Sequence, residues 1–234
     1  MRILGLITAR GGSKGVLRKN VKLLHELPLI GYSIKSALET DLLDDVIVST
    51  EDAEIAKISK QLGAKVPFMR PQELATDNSP TIDTIVYTVK KLQSLGEEYD
   101  AICLLQPTTP FRNQKDLVKA IEKFKTTRAD SLISVRKVPH QYNPHWVFER
   151  TESTPYLTIA TGEDRIISRR QELPEAFYRD GSIYLTKVSV IIDEKSLFGK
   201  KITYYETKYS PDINIDTLED WKKAEAYINQ NNLS

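Results

Sequence analysis

With only one cysteine in 234 residues, Cys103, the chain has no intramolecular disulfide, which fits a reducing compartment. Cys103 lies in the apolar run Ala101 to Leu105 and reads as a buried core residue rather than a nucleophile. Excess charge of either sign is also missing. The 33 basic and 32 acidic side chains nearly cancel, so no domain-wide basic field points to nucleic acid. No apolar stretch approaches membrane-spanning length, and a first strand beginning at Arg2 leaves no expected room for a leader. A cytoplasmic location is therefore expected. Low-complexity tracts and long Gly/Ser linkers are absent, and the histidines His25, His140 and His145 lack metal-ligand company. A chain of this length can bury a sizeable core, as one α/β domain with or without an appendage.

What the chain does have is concentrated in Ile3 to Asn20. The apolar run Ile3 to Ile7 reads as a buried strand. It breaks into a loop holding Gly11, Gly12, Gly15, Ser13 and the cations Arg10, Lys14, Arg18 and Lys19. Glycines allow sharp turns and close approach of backbone N–H groups to a ligand, and the cations supply charge that phosphates need. The loop fits neither the P-loop spacing nor the dinucleotide fingerprint. A basic surface turn would explain one or two of these residues. Four cations, a serine and three glycines directly after a hydrophobic strand favour phosphate binding, at the place where open α/β sheets bind nucleotides.

Strands and helices alternate beyond this loop. Asp45 to Ser49 is a second strand, and Asp52 is placed to cap a helix whose face carries Ile55, Ile58, Ser59 and Leu62 until Gly63 stops it. Pro80 suits a first helical turn, followed by Ile82, Ile85, Val86, Val89 and Leu92 at helical spacing. Ala101 to Leu105 is a third strand, residues 113 to 125 a helix, and Ser131 to Val135 a fourth strand. This alternation predicts a mainly parallel sheet covered on both faces. Order returns at Gly181 to Leu185, with a last strand over Ile202 to Tyr205 and a C-terminal helix from about Thr217 to Asn229. Between them, residues 140 to 176 carry prolines, aromatics and charges without a helical period. The reading is a core of residues 1–139 and 177–234, with 140–176 as a lid or an arm packed on a partner.

With these residues in view, the chain resembles the acylneuraminate cytidylyltransferases. The matching blocks are Ala9 to Gly15 with Lys19-Asn20, Pro28-Leu29-Ile30, Val48-Ser49-Thr50, and Arg70-Pro71-x-Glu73-Leu74-Ala75-x-Asp77. Later blocks are Leu105 to Pro110 with Arg112, Arg170-Gln171-x-x-Pro174, Gly181-x-Ile183-Tyr184 and Ile215-Asp216-Thr217. The resemblance implies a Rossmann-like nucleotidyltransferase sheet covered by helices, with a protruding dimerisation arm. It implies transfer of CMP from CTP to a 2-keto sugar acid of the nonulosonic class, with Mg2+ as cofactor and release of pyrophosphate. Arg10, Gly11, Gly12, Ser13, Lys14, Lys19 and Asn20 then match the triphosphate-binding set. Arg70 and Thr81 match positions facing the base, with Gln106 at the inner edge near the nucleotide. Thr108, Thr109, Arg170, Gln171 and Arg179 stand on the substrate side, and residues 140–176 would join a homodimer. Asp216 matches a magnesium-holding aspartate, and Arg10, Lys19 and Asp216 form the catalytic set.

Two blocks depart from the family pattern. Asn214 replaces the first acid of an Asp-x-Asp string, with Asp212 two residues earlier as a further candidate ligand. Tyr178-Arg179-Asp180-Gly181 stands where many sialic acid enzymes have an arginine two residues before Asn-Gly. This weighs against ordinary sialic acid more than against the reaction class. Asp216 has a rival reading as an acid at a helix start, Thr108 and Thr109 as a turn, and Arg170 beside Arg169 as a solvated pair. A CMP-Kdo-type enzyme, one using another nucleotide, and a non-catalytic nucleotide-binding module stay open as alternatives.

Overall fold

The computed structural model describes residues 1–152 and 154–231. In chain order, β1 (Ile3–Thr8) leads through the glycine-containing loop to a small ribbon of β2 (Leu23–Leu24) and β3 (Leu27–Pro28). Then follow α1 (Leu29–Leu38), β4 (Asp45–Ser49), α2 (Ala53–Gln61), α3 (Thr81–Ser94), β5 (Ala101–Leu104), α4 (Gln114–Thr127) and β6 (Ser131–Lys137). A hairpin of β7 (Phe148–Arg150) and β8 (Leu157–Ile159) precedes β9 (Phe177–Lys187), α5 (Val188–Asp193), β10 (Ile202–Glu206) and α6 (Leu218–Asn231). Six strands form one sheet in the order β10-β6-β9-β5-β1-β4.

The sheet is mostly parallel at its centre, as the alternation predicts. β1 pairs in parallel with β4 and with β5, while β9 runs antiparallel to β5. β1 is apolar from Ile3 to Ile7 because both its faces are covered. Ile3 and Ile7 pack with residues of α1, α2 and α4, whereas Leu4 and Leu6 pack with residues of α3 and α5. After β1 the chain builds β4 on one flank and then β5 on the other. The crevice between the carboxyl ends of β1 and β5 is therefore a topological switch point.

Local signals account for most boundaries. Asp52 accepts from the amides of Glu54 and Ile55 and caps α2, and Gly63 adopts φ +94° just beyond it. Asn113 caps α4 through the Lys115 amide. Pro80 stands at the N-cap of α3 rather than inside its first turn. Helices α1 and α5 carry no such signal: Pro28 and Lys187 occupy their N-caps and make no side-chain capping bond. Strand β9 begins at Phe177, earlier than the Gly181 expected. Cys103 is fully buried, and burial pushes its thiol up to about 12.

The chain divides into two compact units, residues 1–134 with 180–234, and residues 135–179. The second unit holds the β7–β8 hairpin and short 3-10 turns at His140–Tyr142, Pro144–Trp146 and Arg170–Glu172. The Asn143 side chain donates to Pro174 O at 2.9 Å, and the Trp146 indole donates to Ile167 O at 2.6 Å. His145 lies 2.7 Å from Glu163, and His140 meets Trp146 edge-on. No helix among the described residues is long and apolar enough to cross a membrane.

Candidate active site

A cavity of about 560 Å³ opens at the switch point, lined from the first unit by residues that are far apart in sequence. The loop after β1 contributes Arg10, Ser13, Lys14, Gly15, Lys19 and Asn20. The segment before and into α3 contributes Arg70, Leu74, Thr76, Asp77, Ser79, Thr81 and Thr84. Gln106, Pro107 and Thr108 follow β5, and Asn214 and Asp216 precede α6. Thus Arg10, Ser13, Lys14, Lys19, Asn20, Arg70, Thr81, Gln106, Thr108, Asn214 and Asp216 meet around one space.

The loop is held in place by side chains of its own. Asn20 donates from its amide to Arg10 O at 2.8 Å, closing residues 10–20 on themselves. Val16 packs with Leu24, Leu29, Ile215 and Trp221 in a separate apolar cluster, which ties the loop to the chain before α6. Lys19 reaches across to donate to Ile215 O at 2.7 Å and lies 3.3 Å from Asp216 Oδ1. Gly15 permits that closeness, since a Cβ there would lie 1.9 Å from the Asp216 carbonyl oxygen.

Several expectations about this loop are corrected. None of its glycines has positive φ; the left-handed residue is Arg18 at φ +53°. Arg18 is not a phosphate cation, because its guanidinium pairs with Asp52 and Glu54 at the start of α2, and those contacts raise its pKa. Gly11 and Gly12 do not line the cavity. The Gly11 amide donates to Glu51 Oε1 at 2.7 Å and is already satisfied, while a Cβ on Gly11 would crowd Asp52. At Gly11 the absence of a side chain serves packing between protein segments.

Arg70 is buried, with its side chain paired to Glu51 and its backbone amide donating to Thr50 O at 2.8 Å. Glu51 thereby braces both Arg70 and the Gly11 amide from the end of β4. The sequence reading assigned it no role; the signal was an acid directly after a buried strand, where a solvated residue would serve equally well. Arg112 is the second such residue. Its buried guanidinium donates to Ser182 O (2.8 Å), Ser33 Oγ (3.3 Å), Gln106 O (3.1 Å) and Thr109 Oγ1 (3.0 Å). Burial lowers its pKa to about 10. Thr109 is consequently buried and bonded to Arg112, outside the cavity lining.

At the opposite rim, Asp216 is released from the helix-start role. Helix α6 takes its cap from Thr217 and Asp220. Asp220 Oδ2 accepts from the Thr217 amide at 3.0 Å, and the Asp220 amide donates to Thr217 Oγ1 at 3.2 Å. Asp216 instead faces Lys19 and accepts from Asn214 Nδ2 at 2.7 Å. Asp212 does not line the cavity. No group of three or more His, Cys, Asp or Glu suited to a metal occurs among the described residues. One carboxylate with a neighbouring amide still fits Mg2+, which keeps several waters and shares phosphate oxygens with one or two protein carboxylates. Arg170, Gln171 and Arg179 belong to the second unit and are not among the residues lining the cavity.

Comparison with known proteins gives this geometry a family. Residues 4–233 match the profile described as Cytidylyltransferase. The CMP-N,N'-diacetyllegionaminic acid synthase of Legionella pneumophila is 34% identical, over 99% of this chain and 98% of its own. The pseudaminic acid cytidylyltransferase of Campylobacter jejuni is 30% identical, over 100% and 99%. A solved CMP:2-keto-3-deoxy-manno-octonic acid synthetase complexed with CTP superposes with a TM-score of 0.75, covering 99% of this chain and 100% of that one. At 18% identity it speaks for the fold alone. The chain belongs to the cytidylyltransferase family.

Proposed function

We propose that the enzyme transfers CMP from CTP to the anomeric hydroxyl of a nonulosonic acid, a sialic-acid-like 2-keto sugar acid, and releases pyrophosphate. The observation that carries this is the single cavity uniting Arg10, Lys14, Lys19, Arg70, Gln106 and Asp216, in a chain aligned end to end with nonulosonic acid cytidylyltransferases. The hydroxyl oxygen forms a bond to the α-phosphorus as the bond to the pyrophosphate oxygen breaks, and the hydroxyl proton is released to solvent. Such a step is catalysed mainly by positioning and by neutralising phosphate charge.

Arg10, Lys14 and Lys19 take the β- and γ-phosphate oxygens, with the Ser13 hydroxyl beside them. Lys19 is the best preplaced of the three, anchored by Ile215 O and only 12% exposed. Asn20 fixes the backbone from which Arg10 projects. Arg70, Thr81 and Gln106 occupy the nucleoside side. Asp216, with the Asn214 amide oxygen, would hold Mg2+, which screens phosphate charge when bound. Arg170, Gln171 and Arg179 serve the sugar acid, their guanidinium groups suited to a carboxylate.

Residues 140–176 serve as the contact of a homodimer. This reading is supported by their exposed apolar side chains, including Tyr142, Phe148, Tyr156, Leu157 and Ile166. The reaction belongs in the cytoplasm, where nucleoside triphosphates are held. The test is a panel of CTP, UTP, GTP and ATP against legionaminic, pseudaminic and N-acetylneuraminic acids with Mg2+. CMP-sugar formation with one of the first two acids is expected. Preference for another nucleotide, or CTP binding without turnover across the panel, would reject the proposal. Mass measurement in solution tests the dimer.

A further inference from the structure

Asp77 joins the two outer cations of the cavity. Its Oδ1 lies 2.8 Å from Arg10 Nη2 and its Oδ2 lies 2.7 Å from Lys14 Nζ. Each carboxylate oxygen thus engages a different cation, as two oxygens of a bridging phosphate would. Contact with Lys14, and then the nearby charge of Arg10, holds the Asp77 carboxyl below the usual carboxylate range.

Asp77 stands at the tip of a braced turn. The Ser79 amide donates to Thr76 O at 3.2 Å, the Thr76 and Ser79 hydroxyls meet at 2.7 Å, and Ser79 Oγ donates to Glu73 O at 2.7 Å. These bonds hold the turn that carries the carboxylate beside Arg10 and Lys14. The contacts are also easily opened: Asp77 is 41% exposed and Lys14 79%, so water screens both pairs. Lys19 differs. It is anchored by the Ile215 carbonyl and is not paired with Asp77.

We infer that Asp77 is an internal exchange anion: it occupies Arg10 and Lys14 when no nucleotide is bound, yields them to the phosphates of CTP, and recaptures them as pyrophosphate leaves. This rests on the cavity binding a nucleoside triphosphate as proposed above. The exchange lowers affinity for phosphate anions by the fraction of molecules in which the carboxylate holds the cations. In return, the departing pyrophosphate is replaced by a group already in place, so its release does not leave two bare cations together. Release of product is a common limit on turnover, and a competing internal anion acts on that step.

The test compares the parent with Asp77→Asn, and with Asp77→Ser should the amide variant fold poorly. Calorimetric binding of pyrophosphate without Mg2+ is measured at two salt concentrations. The variant is expected to bind about fivefold more tightly, the size set by two partly exposed ion pairs, with the difference shrinking at high salt. Product inhibition by pyrophosphate should strengthen by the same factor. Equal or weaker pyrophosphate binding by the folded variant, beside clear binding by the parent, overturns the exchange role and leaves the cavity assignment standing. If neither protein binds pyrophosphate or CTP, the phosphate-site reading itself falls, and the exchange with it.

Discussion

The ions around the cavity and the ions beneath it are built on opposite plans. At the rim, Arg10, Lys14 and Lys19 pair with Asp77 and Asp216, carboxylates that are 41% and 62% exposed. Beneath it, Arg112 and Asp116 are buried and bonded mostly to neutral groups. Arg112 meets carbonyl and hydroxyl oxygens of four residues. Asp116 accepts from the Tyr205 and Ser210 hydroxyls and from the amides of Lys208, Tyr209 and Ser210. A buried charge with fixed hydrogen bonds is costly to disturb and serves as a frame. A screened ion pair between exposed side chains is cheap to open and can be traded for a ligand. Stability should therefore depend on the lower set and catalysis on the upper one.

The sharpest way to break this contrast is Asp116→Ala, which strands three amides and two hydroxyls under the chain leading to Asp216. A loss of about 4 kcal/mol is expected in denaturant unfolding, because several buried hydrogen-bond donors lose their acceptor at once. A loss below about 1 kcal/mol would show that the frame lies elsewhere. Arg10→Ala should do the reverse, lowering kcat/KM for CTP by about 100-fold, some 2.7 kcal/mol of transition-state stabilisation, with stability nearly unchanged. Near-normal turnover would remove Arg10 from the phosphate site.

Asp216→Asn is expected to cost about tenfold in kcat at subsaturating Mg2+ and to raise the Mg2+ concentration needed for half-maximal rate. The cap from Thr217 and Asp220 should keep α6 intact, so a helix that frays in circular dichroism would restore the helix-start role of Asp216. The smallest effect concerns Cys103. Its thiol is raised from 9.0 to about 12, so in the folded state it stays protonated as pH climbs through the ordinary thiol range. A disulfide reagent at pH 8 should label it only after denaturation; rapid labelling of the native protein would contradict its burial.

Parts of this design were legible in the sequence because they depend on local pattern. The run Ile3 to Ile7, the cap at Asp52 and the helical spacing from Ile82 to Leu92 each produced the expected element. The lining positions Arg10, Lys14, Lys19, Arg70 and Asp216 could be named because their motifs are specific. The pairings were not legible. Nothing in the string tells that Arg18 turns away to Asp52 while Arg10 lines the cavity, because both are cations flanking the same glycines. Glu51 and Asp77 look like ordinary polar residues until Gly11, Arg70, Arg10 and Lys14 are brought beside them. Helices α1 and α5 escaped because α1 starts directly after the β2–β3 ribbon and α5 is only six residues long.

The separate cap of α6 has a consequence for how such an enzyme can vary. Thr217 and Asp220 secure the helix without the side chains of Asn214 or Asp216. Mutational drift at those two positions is thereby insulated from the folding of the C-terminal helix. An amide can stand at 214, and the ionic character of this edge can be retuned while the surrounding architecture stays intact.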